Sequence, residues 1–143
     1  MSYAIERVLE ETDNAVIVAK HTQGDDPYKF DESNIDALED RTYTTAKLDR
    51  TFVWAYPEPS NVGQVLNLIK NETDLGLSVK VVEEENNLEI DVRTAYTSDF
   101  EDLKYVVYLV EDYLYHNQEN YTSYYDGIDL LIGFEHNNVL RKV

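Results

Sequence analysis

The 143-residue sequence predicts an α+β chain, with an α/β portion over about 1–72 and an antiparallel β-sandwich-like module over about 73–143. Two observations carry this. Up to Lys70, helical and strand patterns alternate, as they do where helices cover a sheet. After Asn71, three strand patterns follow one another with no helix between them. A hydrophobic fraction of 43% is enough to pack a core in a chain of this length.

The elements follow in order. Residues 3–11 read as a helix, because Ile5, Val8 and Leu9 recur at i, i+3, i+4 while Glu6, Arg7 and Glu10 face outward. Ala15–Ala19 is a continuous apolar run, the pattern of a strand buried on both faces. His21–Phe30 is a polar loop. Asp31 is an N-cap candidate for a short helix with Ile35 and Leu38 inside. Thr42–Ala46 is β-prone, and Thr51–Tyr56 reads as a strand stopped by Pro57 and Pro59. Ser60 opens a helix to about Lys70 with Val62, Val65, Leu66 and Ile69 on its apolar face.

In the second half, Gly76–Glu84, Asn87–Tyr96 and Leu103–Val110 read as a three-stranded meander. The middle strand alternates Leu88, Ile90, Val92 against Glu89, Asp91, Arg93. Glu85-Asn86-Asn87 supplies a turn, since Asn tolerates positive φ. From Asp112 to Phe134 the pattern dissolves into Tyr, Asn, Gln and His, which reads as a long loop or irregular edge.

Composition excludes several functions. A net charge of −17, with twelve basic residues against twenty-nine acidic ones, offers no basic stripe for a phosphate backbone, so nucleic acid is not an expected partner. No run reaches the ~18–20 apolar residues of a membrane-spanning helix. The N-terminus lacks the basic and apolar regions of a secretory signal. There are no cysteines, which rules out disulfides, thiolate zinc sites and a Cys nucleophile in this chain.

Candidate sites are sparse. No G-x-S-x-G elbow is present, and His21, His116 and His136 are not in a metalloprotease spacing. The chain is therefore expected not to be an enzyme and to need no cofactor. Asp25, Asp26 and Asp31 form an oxygen-rich loop that is a candidate for Ca²⁺, without the ligand order of a calcium hand; the competing reading is a solvated turn. Asp126 and Asp129 invite the same comparison. Glu111 and Asp112 could do acid–base chemistry or anchor a loop. Twelve tyrosines, many of them within Tyr96–Tyr125, suit either half-exposed sheets or a recognition surface.

Two stretches carry a resemblance. Tyr108-Leu109-Val110-Glu111-Asp112 with Gln118, and Phe134-Glu135-His136-Asn137-Asn138-Val139-Leu140-Arg141, resemble paired motifs of the twenty-eight-kilodalton outer-membrane protein family. Tyr113 replaces that family's usual Gly, and Asn138 its second His. Tyr3–Glu6, Val16–His21 and Leu48-Asp49-Arg50 are similar to its thioredoxin-like half, so the resemblance covers nearly the whole chain. It implies a Gram-negative envelope protein, outer-membrane-associated or periplasmic, with a thioredoxin-like portion at 1–72 that lacks the Cys pair. The chain reads as a slice of such a protein, shortened at both ends.

The expected function is a non-catalytic cell-envelope binding protein for an extracellular glycan or protein. Tyr121, Tyr124, Tyr125 and His136 are the candidate ligand contacts. The alternative is a redox-dead thioredoxin-like structural domain with no small ligand. Open sheet edges make a homodimer a further expectation.

Overall fold

The computed structural model describes residues 1–22, 24–30, 46–55, 57–70 and 72–143. The helix expected from Asp31 and the β-prone stretch before Ala46 lie outside the described residues. The chain is α+β, and its contacts group into two compact units, Met1–Ile69 with Val106–Val143, and Lys70–Tyr105. A single cut at 72/73 and this grouping differ in where residues 106–143 fall.

The first unit is built around helix α1 (Ser2–Glu11). Its buried residues, Ala4 and Val8, lie four apart on one face. They pack against Trp54 and Val62, with Ile5, Ala15, Leu48, Val65 and Leu66 around them. Strands β1 (Lys47–Leu48) and β2 (Phe52–Val53) form a minimal antiparallel hairpin. Asp49 and Arg50 both take left-handed backbone in its turn.

Of the strand expected over Thr51–Tyr56, the described residues 51–55 pair only at Phe52 and Val53, because a side chain takes over the pairing beyond them. Gln64 Nε2 donates to the Val53 carbonyl at 2.9 Å, and Gln64 Oε1 accepts from the Ala55 amide at 3.1 Å. Gln64 belongs to helix α2 (Val62–Ile69). A 3₁₀ turn, Pro59–Asn61, leads into that helix. Pro59 is tolerated there because the first turn has no use for its missing N–H.

Ala15–Ala19 is not a central strand. Val16 is 93% exposed, and only Ala19 makes a bridge, parallel to Val139. The Ala19 amide donates to Asn138 O at 2.8 Å, and Leu140 donates back to Ala19 O at 2.9 Å. Two bonds hold an extended segment against a neighbouring strand but leave most of its flank unpaired. Val18 turns inward against Phe30 and Leu140, a second small core that Tyr108 also borders.

That neighbour is β8 (Val139–Lys142), which pairs antiparallel with β5 (Leu109–Glu111). Val139 and Leu140 are almost completely buried. The expected Leu103–Val110 strand thus contributes only its last two residues to β5, and it joins the C-terminal strand rather than a meander. The segment expected to be irregular holds a second hairpin, β6 (Leu114–Glu119) with β7 (Leu130–His136), irregular between His116 and Gln118. It escapes the alternation test because Tyr, His, Asn and Gln occupy a largely wet surface, where polar and apolar no longer mark opposite faces.

The second unit is one long hairpin, β3 (Leu75–Glu84) with β4 (Asn87–Tyr96), paired from Leu75↔Tyr96 to Glu84↔Asn87. Its register puts Leu75, Leu77, Val79 and Val81 on the same face as Leu88, Ile90, Val92 and Tyr96. The positive φ of its turn falls on Glu85, not on either Asn. Asp74 closes the open end, accepting from the Thr97 hydroxyl at 2.8 Å.

Candidate functional site

The two stretches 108–113 and 134–141 meet in space. Asp112 Oδ1 accepts from the Asn138 amide at 2.6 Å, and Asn137 Oδ1 accepts from the Tyr113 amide at 2.8 Å. Each turn side chain thereby satisfies the backbone of the other turn. Arg141 Nε pairs with Glu111 at 3.1 Å across β8 and β5. Glu111 and Asp112 are thus anchoring groups in this arrangement.

Tyr113 and Asn138 both have left-handed backbone, at φ 60° and 58°. Asn accepts that conformation readily, whereas Tyr is strained in it. Tyr113 is also 72% exposed, so its side chain packs little. Tyr113→Gly is expected to raise stability by about 0.5–1 kcal/mol, strain relief exceeding the entropy that Gly adds to the unfolded chain. A urea midpoint that falls instead would show that the tyrosine side chain holds the turn.

All three histidines gather beside this crossing. His21 follows Ala19 at the start of the 21–30 loop, and the loop closes through Phe30 N–H to His21 O at 3.0 Å. Asp26 Oδ1 accepts the Tyr28 amide at 2.8 Å, the local Asx turn for which Asp is favoured. That turn aims the other oxygen, Oδ2, at His21 Nδ1, 2.6 Å away. Burial works to raise the Asp26 carboxyl, but the Tyr28 and His21 hydrogen bonds outweigh it and hold it below the ordinary value. Tyr28 donates its hydroxyl to Tyr115 O at 3.0 Å, tying the loop to β6.

His136, at the end of β7, is 9% exposed. Its ring lies 5.2 Å from His21, 5.8 Å from Tyr28 and 5.1 Å from Phe134, each edge to face. Tyr28 also meets the His116 ring at 6.2 Å. His136 Nε2 is buried with no partner among the described residues. Burial pushes the His136 ring below the ordinary imidazole value, and His21 adds to this. An unsatisfied buried acceptor costs on the order of 1–3 kcal/mol.

The tyrosines singled out in the sequence divide into two kinds. Tyr124 stacks on Tyr3 at 4.6 Å and donates to Glu58 at 2.7 Å. Tyr125 donates to Glu6 at 2.7 Å and meets the edges of Tyr3 and Phe134. Burial, then the Glu6 hydrogen bond, pushes the Tyr125 phenol well above its ordinary value. Both rings are half-buried and join the C-terminal segment to the N-terminal residues. Tyr121, by contrast, is 88% exposed and hydrogen-bonds only Glu119 among the described residues. Tyr115, 59% exposed, donates to Glu135 at 2.7 Å beside Asn137. Tyr113 stood out in the sequence only as a replacement for Gly, and no spacing there announced the meeting of the histidines; the motif pair alone hinted at the crossing.

Among the described residues no group of three or more His, Asp or Glu side chains is arranged to hold a metal ion. Asp26 of the proposed calcium loop is committed to His21 and Tyr28, and Asp31 lies outside the described residues. No described helix is long and apolar enough to cross a membrane.

Neither a curated protein nor a solved structure matches the chain. The sequence model of the family described as outer membrane protein Omp28 matches residues 32–143, a span that includes both crossing motifs and most of the chain. The chain belongs to the Omp28 outer membrane protein family, which supports a location in the cell envelope.

Proposed function

We propose that this is a non-catalytic cell-envelope binding protein whose ligand is an extended glycan or peptide. The observation that carries the reading is the exposure of Tyr113, Tyr115 and Tyr121 in and beside β6. Tyr113 and Tyr121 flank opposite ends of a strand spanning roughly 17 Å, so they suit an extended ligand rather than a single sugar ring. Glu135, Asn137 and Asn117 add carboxylate and carboxamide groups along the same hairpin. Tyrosine faces stack on sugar rings or peptide planes at little entropic cost, while amides and carboxylates meet hydroxyls.

His21 and Asp26 have the form of a histidine–carboxylate pair. The described partners of His21 are the Asp26 carboxylate and the Tyr28 and His136 rings. The unpaired outer edges of β3 and β4 support pairing with a second copy.

The test is a glycan and peptide array, followed by titration of the best hit against Tyr115→Ala/Tyr121→Ala. The double variant should bind roughly tenfold or more weakly, at ~0.5–1.5 kcal/mol per aromatic contact, with its melting curve unchanged. Equal affinity would remove this surface from consideration.

A second reading is a redox-dead thioredoxin-like structural domain. It is favoured by the commitment of Tyr124 and Tyr125 to Glu58 and Glu6. Under it the array gives no reproducible hit, and replacing those two tyrosines lowers stability alone.

A further inference from the structure

The His21–His136 contact has a consequence independent of the tyrosine surface. The Asp26 carboxylate engages His21 Nδ1 at 2.6 Å, and His136 Nε2 is buried with no partner among the described residues. A carboxylate on Nδ1 orients the His21 ring and leaves its Nε2 as a lone-pair donor, the arrangement usual behind metal-bound imidazoles. Both rings belong to the same unit, and their backbones are tied through Ala19 and Asn138.

The spacing fits the same chemistry. Two imidazoles on a tetrahedral Zn²⁺, with Zn–N of about 2.0–2.1 Å, have ring centroids roughly 5 Å apart. The His21 and His136 centroids are 5.2 Å apart. His136 Nε2 is buried without a partner among the described residues, so this atom gains most from a ligand. Imidazole pairs select Zn²⁺ and Cu²⁺ over the hard cations Mg²⁺ and Ca²⁺. The net charge of −17 draws cations toward the protein without choosing among them.

We infer that His21 and His136 form a two-nitrogen site for a divalent transition-metal ion of the Zn²⁺ or Cu²⁺ class. The protein supplies two donors, and water or an exogenous group fills the other positions. Asp26 is a positioning group, and the Tyr28 and Phe134 rings restrict the room around the pair.

Isothermal titration of the full chain with Zn²⁺ tests it, with Mg²⁺ in parallel. The expected result is one equivalent of Zn²⁺ with a micromolar Kd and no comparable Mg²⁺ heat. His21→Ala should abolish the Zn²⁺ heat, His116→Ala should preserve it, and Asp26→Asn should weaken it roughly 10–100-fold. No saturable Zn²⁺ heat, an equal response to Mg²⁺, or full binding by His21→Ala would overturn the assignment. If a variant does not fold, the wild-type protein still decides. In ¹⁵N spectra of its imidazoles, Zn²⁺ should shift Nε2 of His21 and His136 together. Movement of His116 alone, or of none, would reject the site.

Discussion

Trp54→Ala should destabilise the first unit by about 3–5 kcal/mol, the usual cost of deleting a buried indole. Trp54 sits among Ala4, Val8 and Val62, so its removal empties the centre of the cluster that packs α1 against α2. Its Nε1–H also donates to Asn61 O at 3.0 Å, and its backbone amide to Ala46 O at 2.8 Å. The indole bond fixes the 3₁₀ turn before α2, so part of the loss is that carbonyl left without its donor. A domain stable by about 5–15 kcal/mol would lose a large fraction of its margin. Urea unfolding followed by far-ultraviolet circular dichroism measures this, since the chain has no other tryptophan to report by fluorescence. A shift below about 1 kcal/mol would mean that this cluster is not the core of the unit.

The second large effect belongs to Leu140→Ala, expected to cost about 2–5 kcal/mol. Leu140 is almost fully buried against Phe30, with Val18 and Tyr108 beside it. It lies on the strand that pairs with β5 on one side and bridges Ala19 on the other. The cavity would therefore loosen three chain segments, including the one that delivers His21. The urea midpoint should fall with little change in slope if the transition stays two-state. Because Leu140 and Trp54 belong to separate clusters, the double variant should sum the single effects within roughly 0.5 kcal/mol. A markedly smaller sum would show that the clusters act as one.

Local pattern was sufficient where one residue decides one face. Ile5 and Val8 mark α1, and the alternation through Leu88, Ile90 and Val92 marks β4, because helix and strand periods sort side chains before any partner is chosen. The absence of cysteine likewise settled that this chain carries out no thiol chemistry. The motif pair at 108–112 and 134–141 named the family, and the match over residues 32–143 bears that out.

Only the tertiary structure decided which strands pair. Nothing in Leu109-Val110-Glu111 says that its partner is Val139–Lys142 rather than the adjacent hairpin, because strand pairing is set by long-range register and shared burial, not by local period. Ala15–Ala19 shows the same limit from the other side: continuous apolarity predicted a central strand, yet only Ala19 found a neighbour. The histidines depend most on the fold. His21, His116 and His136 are far apart in sequence and share no spacing rule. They meet because the Asp26 turn, the β6–β7 hairpin and the Ala19 bridge bring one loop and two strands together, and that convergence is a property of chain topology rather than of any segment.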